Sequence, residues 1–146
     1  VISGITILDT NVISEPMQPS PSATVLDWWA QQRPGALFIT TVTVAEILYG
    51  IDLLPHGKRR AALLAGAERM FGKVLVERIL PFDENAARAF PEVAIRRRAQ
   101  GRPITDLDAQ IAAIARSRGA ILATRNTADF EGCGVPLVNP WQPSQS

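Results

Sequence analysis

The chain has 146 residues, 15 of them basic and 14 acidic, with a formal net charge of +1 and 47% hydrophobic residues. That length fits a single domain, 1–146, and that hydrophobic share supports a packed core, which excludes an intrinsically disordered chain. A polycation is excluded too, although charge is uneven: residues 1–57 hold one basic and five acidic residues, whereas 58–125 hold 14 basic and seven acidic.

Cys133 is alone, which leaves no internal disulfide and no cysteine cluster for zinc or iron–sulfur. His56 is also alone, which removes paired-His metal motifs and gives little support to a His-containing nucleophilic triad. No apolar run approaches the ~18 residues of a membrane helix. The opening Val1-Ile2-Ser3-Gly4 lacks the basic region of a signal peptide. The missing initiator Met points to processing or trimming, and a reducing, cytoplasmic setting is expected.

In chain order, Ile5 to Leu8 reads as a short buried strand. Ser20-Pro21 supplies an N-cap and a first-turn Pro for a helix running to about Gln32. Leu37 to Thr40 is the second strand. A helix from Thr43 to about Leu54 follows, with Val44, Ile47, Leu48, Ile51 and Leu54 at helical spacing. Another covers Lys58 to Phe71, and Arg78 to Pro81 fits a brief strand. Glu84 to Gln100 reads as a helix interrupted or kinked near Pro91. Leu107 to Arg118 is a helix closed by Gly119. Ile121 to Thr124 and Val135 to Val138 are the last strands. This alternation predicts an α/β fold with a mostly parallel sheet covered on both faces.

In such a fold ligands bind where the strands end. Asp9 follows the first strand, Glu46 opens the helix after the second, and Asp106 and Asp108 open the helix before the Ile121 strand. Asn126 and Asp129 come just after that strand. Carboxylates converging there repel one another unless a cation neutralises them. A hydrated Mg²⁺ or Mn²⁺ takes oxygen ligands and can activate a water for attack on a phosphodiester. Each residue also has a local reading. Asp9 can cap a helical turn beginning near Asn11. Thr43 and Glu46 match a capping box. Asp106 or Thr105 can cap the later helix; the two acids there differ by about 200° around the axis, so the cap goes to Asp106 and the site to Asp108.

Four segments, Leu8-Asp9-Thr10-Asn11-Val12-Ile13-Ser14-Glu15, Thr43-Val44-Ala45-Glu46, Asp108-Ala109-Gln110-Ile111-Ala112-Ala113 and Ala123-Thr124-Arg125-Asn126, together resemble the PIN-domain family. The likeness is to its VapC and FitB toxins and extends to Asn139-Pro140-Trp141. It implies a three-layer α/β/α sandwich and a Mg²⁺- or Mn²⁺-dependent endoribonuclease. It further implies Asp9, Glu46 and Asp108 as metal-holding acidic residues, with Asn126 at a fourth, usually acidic, position. An amide there brings no charge, unless Asp129 or Asp106 substitutes. A VapB-like antitoxin that plugs the acidic site is implied as partner, together with homodimerisation. Residues near Trp28, Leu53 or Leu54 are expected apolar docking points for the antitoxin.

The basic middle of the chain, Lys58-Arg59-Arg60, Arg96-Arg97-Arg98, Arg102, Arg116 and Arg118, then offers contacts to RNA phosphates. Trp28 and Trp29 read as core or interface residues, Cys133 as inert and His56 as a surface residue. Two other functions compete. A haloacid-dehalogenase-like phosphatase needs an acid two residues after Asp9, where Asn11 stands. A silent module that only binds antitoxin or RNA rests on Asn126 alone.

Overall fold

The computed structural model describes residues 4–143, so residues 1–3 of the opening segment lie outside the described residues. Strands β1 (Thr6–Leu8), β2 (Leu37–Thr40), β3 (Ile79–Leu80), β4 (Ile121–Ala123) and β5 (Leu137–Val138) form one sheet. Their order is β3-β2-β1-β4-β5 and every neighbouring pair is parallel. The helices are α1 (Thr10–Ser14), α2 (Ala23–Gln31), α3 (Thr41–Asp52), α4 (Lys58–Arg69), α5 (Glu84–Ala99) and α6 (Asp106–Arg118).

Successive strand residues point to opposite faces, and that alternation divides the core in two. Ile7 and Leu122 pack on one face with Val93, Ile111 and Ile114 of α5 and α6. Leu8 and Ala123, their immediate neighbours, pack on the other face with Val12, Ile13, Trp28 and Ile47. Both strands are buried almost throughout because both faces are covered, and Thr6 is their one polar residue. The result is the expected α/β/α sandwich. Trp28 is a core residue, 6% exposed. No helix among the described residues is long and apolar enough to cross a membrane.

Several helix starts differ from expectation, each for a local reason. Helix α2 is capped by Ser22, whose hydroxyl accepts from the Val25 N–H at 3.3 Å. The helix starts at Ala23, two residues later than expected, so Ser20 lies outside it and the earlier cap does not form. Helix α3 begins at Thr41, directly after β2. Thr40 is extended, and its hydroxyl accepts from the Thr43 N–H at 3.1 Å. The Thr43–Glu46 capping box is therefore absent, and Glu46 lies beyond the first turn with its side chain free for other contacts. Thr105, not Asp106, caps α6 by accepting from the Asp108 N–H at 3.2 Å.

Other boundaries follow the same logic. Helix α4 ends at Arg69 and passes into one π-helical turn, Met70–Val74. Helix α5 runs without a break through Pro91, which removes one backbone donor. Gly119 closes α6 as expected, with φ of 62°.

The two cap assignments for α3 separate by denaturation. Thr40→Ala should cost about 1 kcal/mol, as loss of a cap hydroxyl does. Glu46→Ala should not lower the midpoint. A comparable loss in both variants, read from urea titrations, would restore the capping box.

Candidate active site

From β1 the chain steps outward through β2 to β3, then returns to lay β4 on the other side of β1. Loops leaving β1 and β4 thus part in opposite directions, opening a crevice at the strand ends. Asp9 stands there. Its N–H donates to the Ala123 carbonyl at 2.9 Å, prolonging the β1–β4 ladder by one residue. Its side chain is almost wholly buried, at 7% exposure for the residue. Oδ1 accepts from the Thr10 N–H at 2.9 Å and Oδ2 from the Thr124 hydroxyl at 2.8 Å. Asp9 therefore caps α1 and faces the crevice at once; the two readings coexist.

The next residue carries the network onward. The Thr10 hydroxyl donates to Glu46 Oε1 at 3.2 Å, joining α1 to α3. Asp108, half-buried in the first turn of α6, completes a group of three acids from three separate elements. Their carboxyl groups feel one another. Burial, first, raises the Asp9 pKa against the lowering effect of its Thr124 and Thr10 bonds. Burial also raises Glu46, with repulsion from Asp9 and Asp108 adding to it. Asp108 is raised by burial and then by Asp9, and Asp129 adds further repulsion.

Asn126 is exposed, and its backbone N–H donates to Thr124 Oγ1 at 3.1 Å. That bond occupies a lone pair of the hydroxyl and turns its proton toward Asp9. Asp129, three residues on, is the fourth charge acting on both Asp9 and Asp108. It ends a short 3₁₀ turn, Thr127–Asp129. Asp106 is exposed, two residues before Asp108.

Arg97 departs most from expectation. It is 4% exposed and donates to the carbonyls of Arg102 (2.6 Å), Asp129 (2.6 Å) and Glu131 (3.0 Å). It braces the loop that carries Asp129 instead of meeting phosphates, and its charge tempers Asp108. No sequence signal distinguishes it from Arg96 and Arg98; only the packing of α5 against that loop does. Other cations of the basic middle are also engaged, in the pairs Arg60–Asp52, Arg102–Glu131, Arg116–Glu92 and Arg118–Asp83. Lys58, Arg59, Arg96 and Arg98 form no ion pair among the described residues. Cys133 is buried, with its thiol pKa raised chiefly by burial, as suits an unreactive residue.

All the site's donors are oxygens. Among the described residues, however, no group of three His, Cys, Asp or Glu is arranged to hold a metal ion. Both oxygens of Asp9 and one of Glu46 are already hydrogen-bonded. Each such oxygen keeps a second lone pair. Two grooves meet at Glu46. One is lined by Thr10, Met17, Ile47 and Leu54, the other by Val42, Tyr49, Phe82 and Leu107.

Fold and crevice define a parallel α/β protein with an acidic cleft at the switch point of its sheet. The sequence pattern described as the PIN domain matches residues 6–132, and the chain belongs to that family. It is similar to the plasmid stability protein StbB of Pseudomonas syringae pv. tomato, at 43% identity over 93% of this chain and 98% of the relative. It is also similar to the VapC ribonuclease Y4jK of Sinorhizobium fredii, at 38% identity over 94% and 99% of the two chains. Among solved structures, that of FitAB bound to the IR36 DNA fragment superposes with a TM-score of 0.90 at 34% identity, covering 97% of this chain and 99% of that one.

An acid whose folded pKa is raised binds protons more readily folded than unfolded, so its stability contribution falls as pH rises through that pKa. Asp108→Asn should therefore raise the thermal midpoint at pH 7 in chelator. The gain should fade below the ordinary carboxylate range, where Asp108 is protonated in both states. A gain independent of pH, in melts from pH 3 to 8, would assign it to something other than charge.

Proposed function

We propose that this chain, acting as one PIN domain, is a Mg²⁺- or Mn²⁺-dependent endoribonuclease and the toxin of a toxin–antitoxin pair. The observation that carries this reading is the bridge of Thr10 between Asp9 and Glu46 at the switch-point crevice, where Asp9 and Asp108 both repel the Glu46 charge. The names of relatives, a VapC ribonuclease and a FitAB complex, support it.

The donor set suits a hard cation that prefers oxygen. Three desolvated carboxyl groups with raised pKa values hold negative charge that the site does not itself balance. Because the acids do not close directly around an ion, a hydrated one fits best, since Mg²⁺ keeps several waters and takes few carboxylates. Asp9, Glu46 and Asp108 would hold it. When bound, such an ion lowers the pKa of a water and polarises a phosphoryl oxygen. The chain's own part is orientation: Thr124 and Thr10 hold Asp9, Thr10 holds Glu46, and the α6 N-terminus favours Asp108 as its anion. Asn126 is placed to orient Thr124 without adding charge, and Asp129 supplies the fourth acid.

Partners follow from the same surface. A basic segment of a VapB-like antitoxin complements the acidic crevice. The grooves beside Glu46 offer it apolar anchors, among them Leu54 and Tyr49. Leu53, 67% exposed, remains a docking point, whereas Trp28 is buried and does not. A second copy of the chain is the other expected partner.

Purified protein should cleave RNA with Mg²⁺ or Mn²⁺ and stop when the ion is chelated. Asp9→Asn should lower the rate on the order of a hundredfold or more while the melt stays cooperative, the scale of losing an electrostatic contact to the reacting centre. Wild-type turnover by a folded Asp9→Asn protein, or cleavage that survives chelation, overturns the reading. The fourth position has its own test in a divalent-ion titration of activity. Asn126→Asp should lower the concentration needed for half activity and Asp129→Asn should raise it. If Asp129→Asn leaves it unchanged, Asp129 does not serve the ion.

A further inference from the structure

Most cations near the crevice are consumed inside the fold, and one beside it is not. Arg125 follows Thr124, whose hydroxyl holds Asp9, and it is exposed. Its guanidinium lies over the Trp141 ring, with the central carbon 4.9 Å from the ring centroid. Among the described residues it forms no ion pair, and no acceptor is bonded to its guanidinium N–H groups.

The backbone beneath it is held by two side chains. The Arg125 N–H donates to Asn11 Oδ1 at 3.3 Å, and its carbonyl accepts from Asn139 Nδ2 at 3.5 Å. Asn139 Oδ1 in turn accepts from the Trp141 N–H at 2.9 Å. One asparagine therefore ties the arginine to the tryptophan on which it lies. Trp141 is itself packed against the core face built on Leu8 and Ala123, the last residues of β1 and β4. The ring restrains the guanidinium while its N–H donors keep no protein acceptor among the described residues. A planar fork held in this way loses less side-chain entropy when it binds a phosphate than a free chain does. Arg125 is also not among the charges that act on Asp9, Glu46 or Asp108. Its cation is therefore available to a ligand without being spent on the acids.

An acidic cleft repels the backbone of its own substrate, and a fixed cation at the rim helps to hold that backbone beside it. We propose that Arg125, braced by Trp141 and Asn139, binds a backbone phosphate of single-stranded RNA next to the cleaved bond. Arg125 is thereby a substrate-binding residue, and Asn139 and Trp141 are positioning residues. This rests on the ribonuclease reading above and adds to it the rim on which the strand lies. Contacts of this kind position the strand and carry no sequence information.

The test uses the intact chain in EDTA, so that binding is read without cleavage. Anisotropy of a labelled single-stranded oligoribonucleotide is followed across a KCl series. Each phosphate contact contributes about 0.7 to the slope of log affinity against log salt for single strands. Arg125→Gln should make the slope shallower by about 0.7 and weaken binding about fivefold at 0.1 M salt. Arg125→Lys should keep the slope, since the charge remains, and Trp141→Leu should keep the slope with weaker affinity. Arg88→Gln, at an exposed ion pair elsewhere on α5, should change neither quantity. Wild-type slope and affinity in Arg125→Gln overturn the inference alone, as does an equal loss in Arg88→Gln, which marks a diffuse charge effect. A wild-type chain that binds no oligoribonucleotide in EDTA even at low salt overturns the inference, whereas the ribonuclease reading stands or falls on the metal-dependent cleavage assay above.

Discussion

Burial of the Asp9 carboxylate at the point where the sheet reverses its direction of growth constrains most of what surrounds it. A desolvated carboxylate is costly unless its oxygens are satisfied. Here one oxygen takes a backbone donor at the start of α1 and the other takes a hydroxyl from the far side of the crevice. The second bond requires β1 and β4 to be neighbours in register, with Leu8 opposite Ala123, so that Thr124 arrives beside Asp9. Sheet topology and site chemistry are one arrangement.

From that anchor, hydrogen bonds run outward through small hydroxyl residues. Thr10 donates its backbone N–H to Asp9 and its side-chain proton to Glu46. Thr124 donates to Asp9 and accepts from Asn126. Threonine serves well here because its β-branch restricts χ1. The acids are thus oriented by neutral groups, and among the described residues no basic side chain pairs with Asp9, Glu46 or Asp108 within hydrogen-bonding distance. The charge is left for a ligand, which is the condition that a metal site or a basic inhibitory peptide needs.

The cations are arranged by the opposite rule. Arg97 sinks into the gap between α5 and the loop after β4, where carbonyls of Asp129 and Glu131 and the carbonyl of Arg102 satisfy it. Arg102 adds a pair with Glu131 and a bond to the Ala128 carbonyl. These two residues hold Asp129 near Asp108 while spending their charge within the fold. Arg125 instead rests on an aromatic face, which holds it without satisfying its donors. The basic excess of the middle of the chain is therefore a poor guide to where a polyanion would lie.

The sequence by itself determined the order and type of the strands and main helices, because buried strands and helix stripes leave apolar periods that need no partner to be read. It also placed Asp9, Glu46 and Asp108 at one rim, since parallel strands all end on the same side. Helix starts were less legible: Ser20, Thr43 and Asp106 each had a neighbour, Ser22, Thr40 or Thr105, equally able to cap. The extended backbone at Ser22, Thr40 and Thr105, each followed by a helical residue, chose between them. Only the tertiary structure decided that Arg97 is buried, that Asp129 joins the acids, and that Arg125 lies on Trp141. Those outcomes depend on contacts between segments far apart in the chain, and a run such as Arg96-Arg97-Arg98 carries no local mark of which member a distant loop will cover.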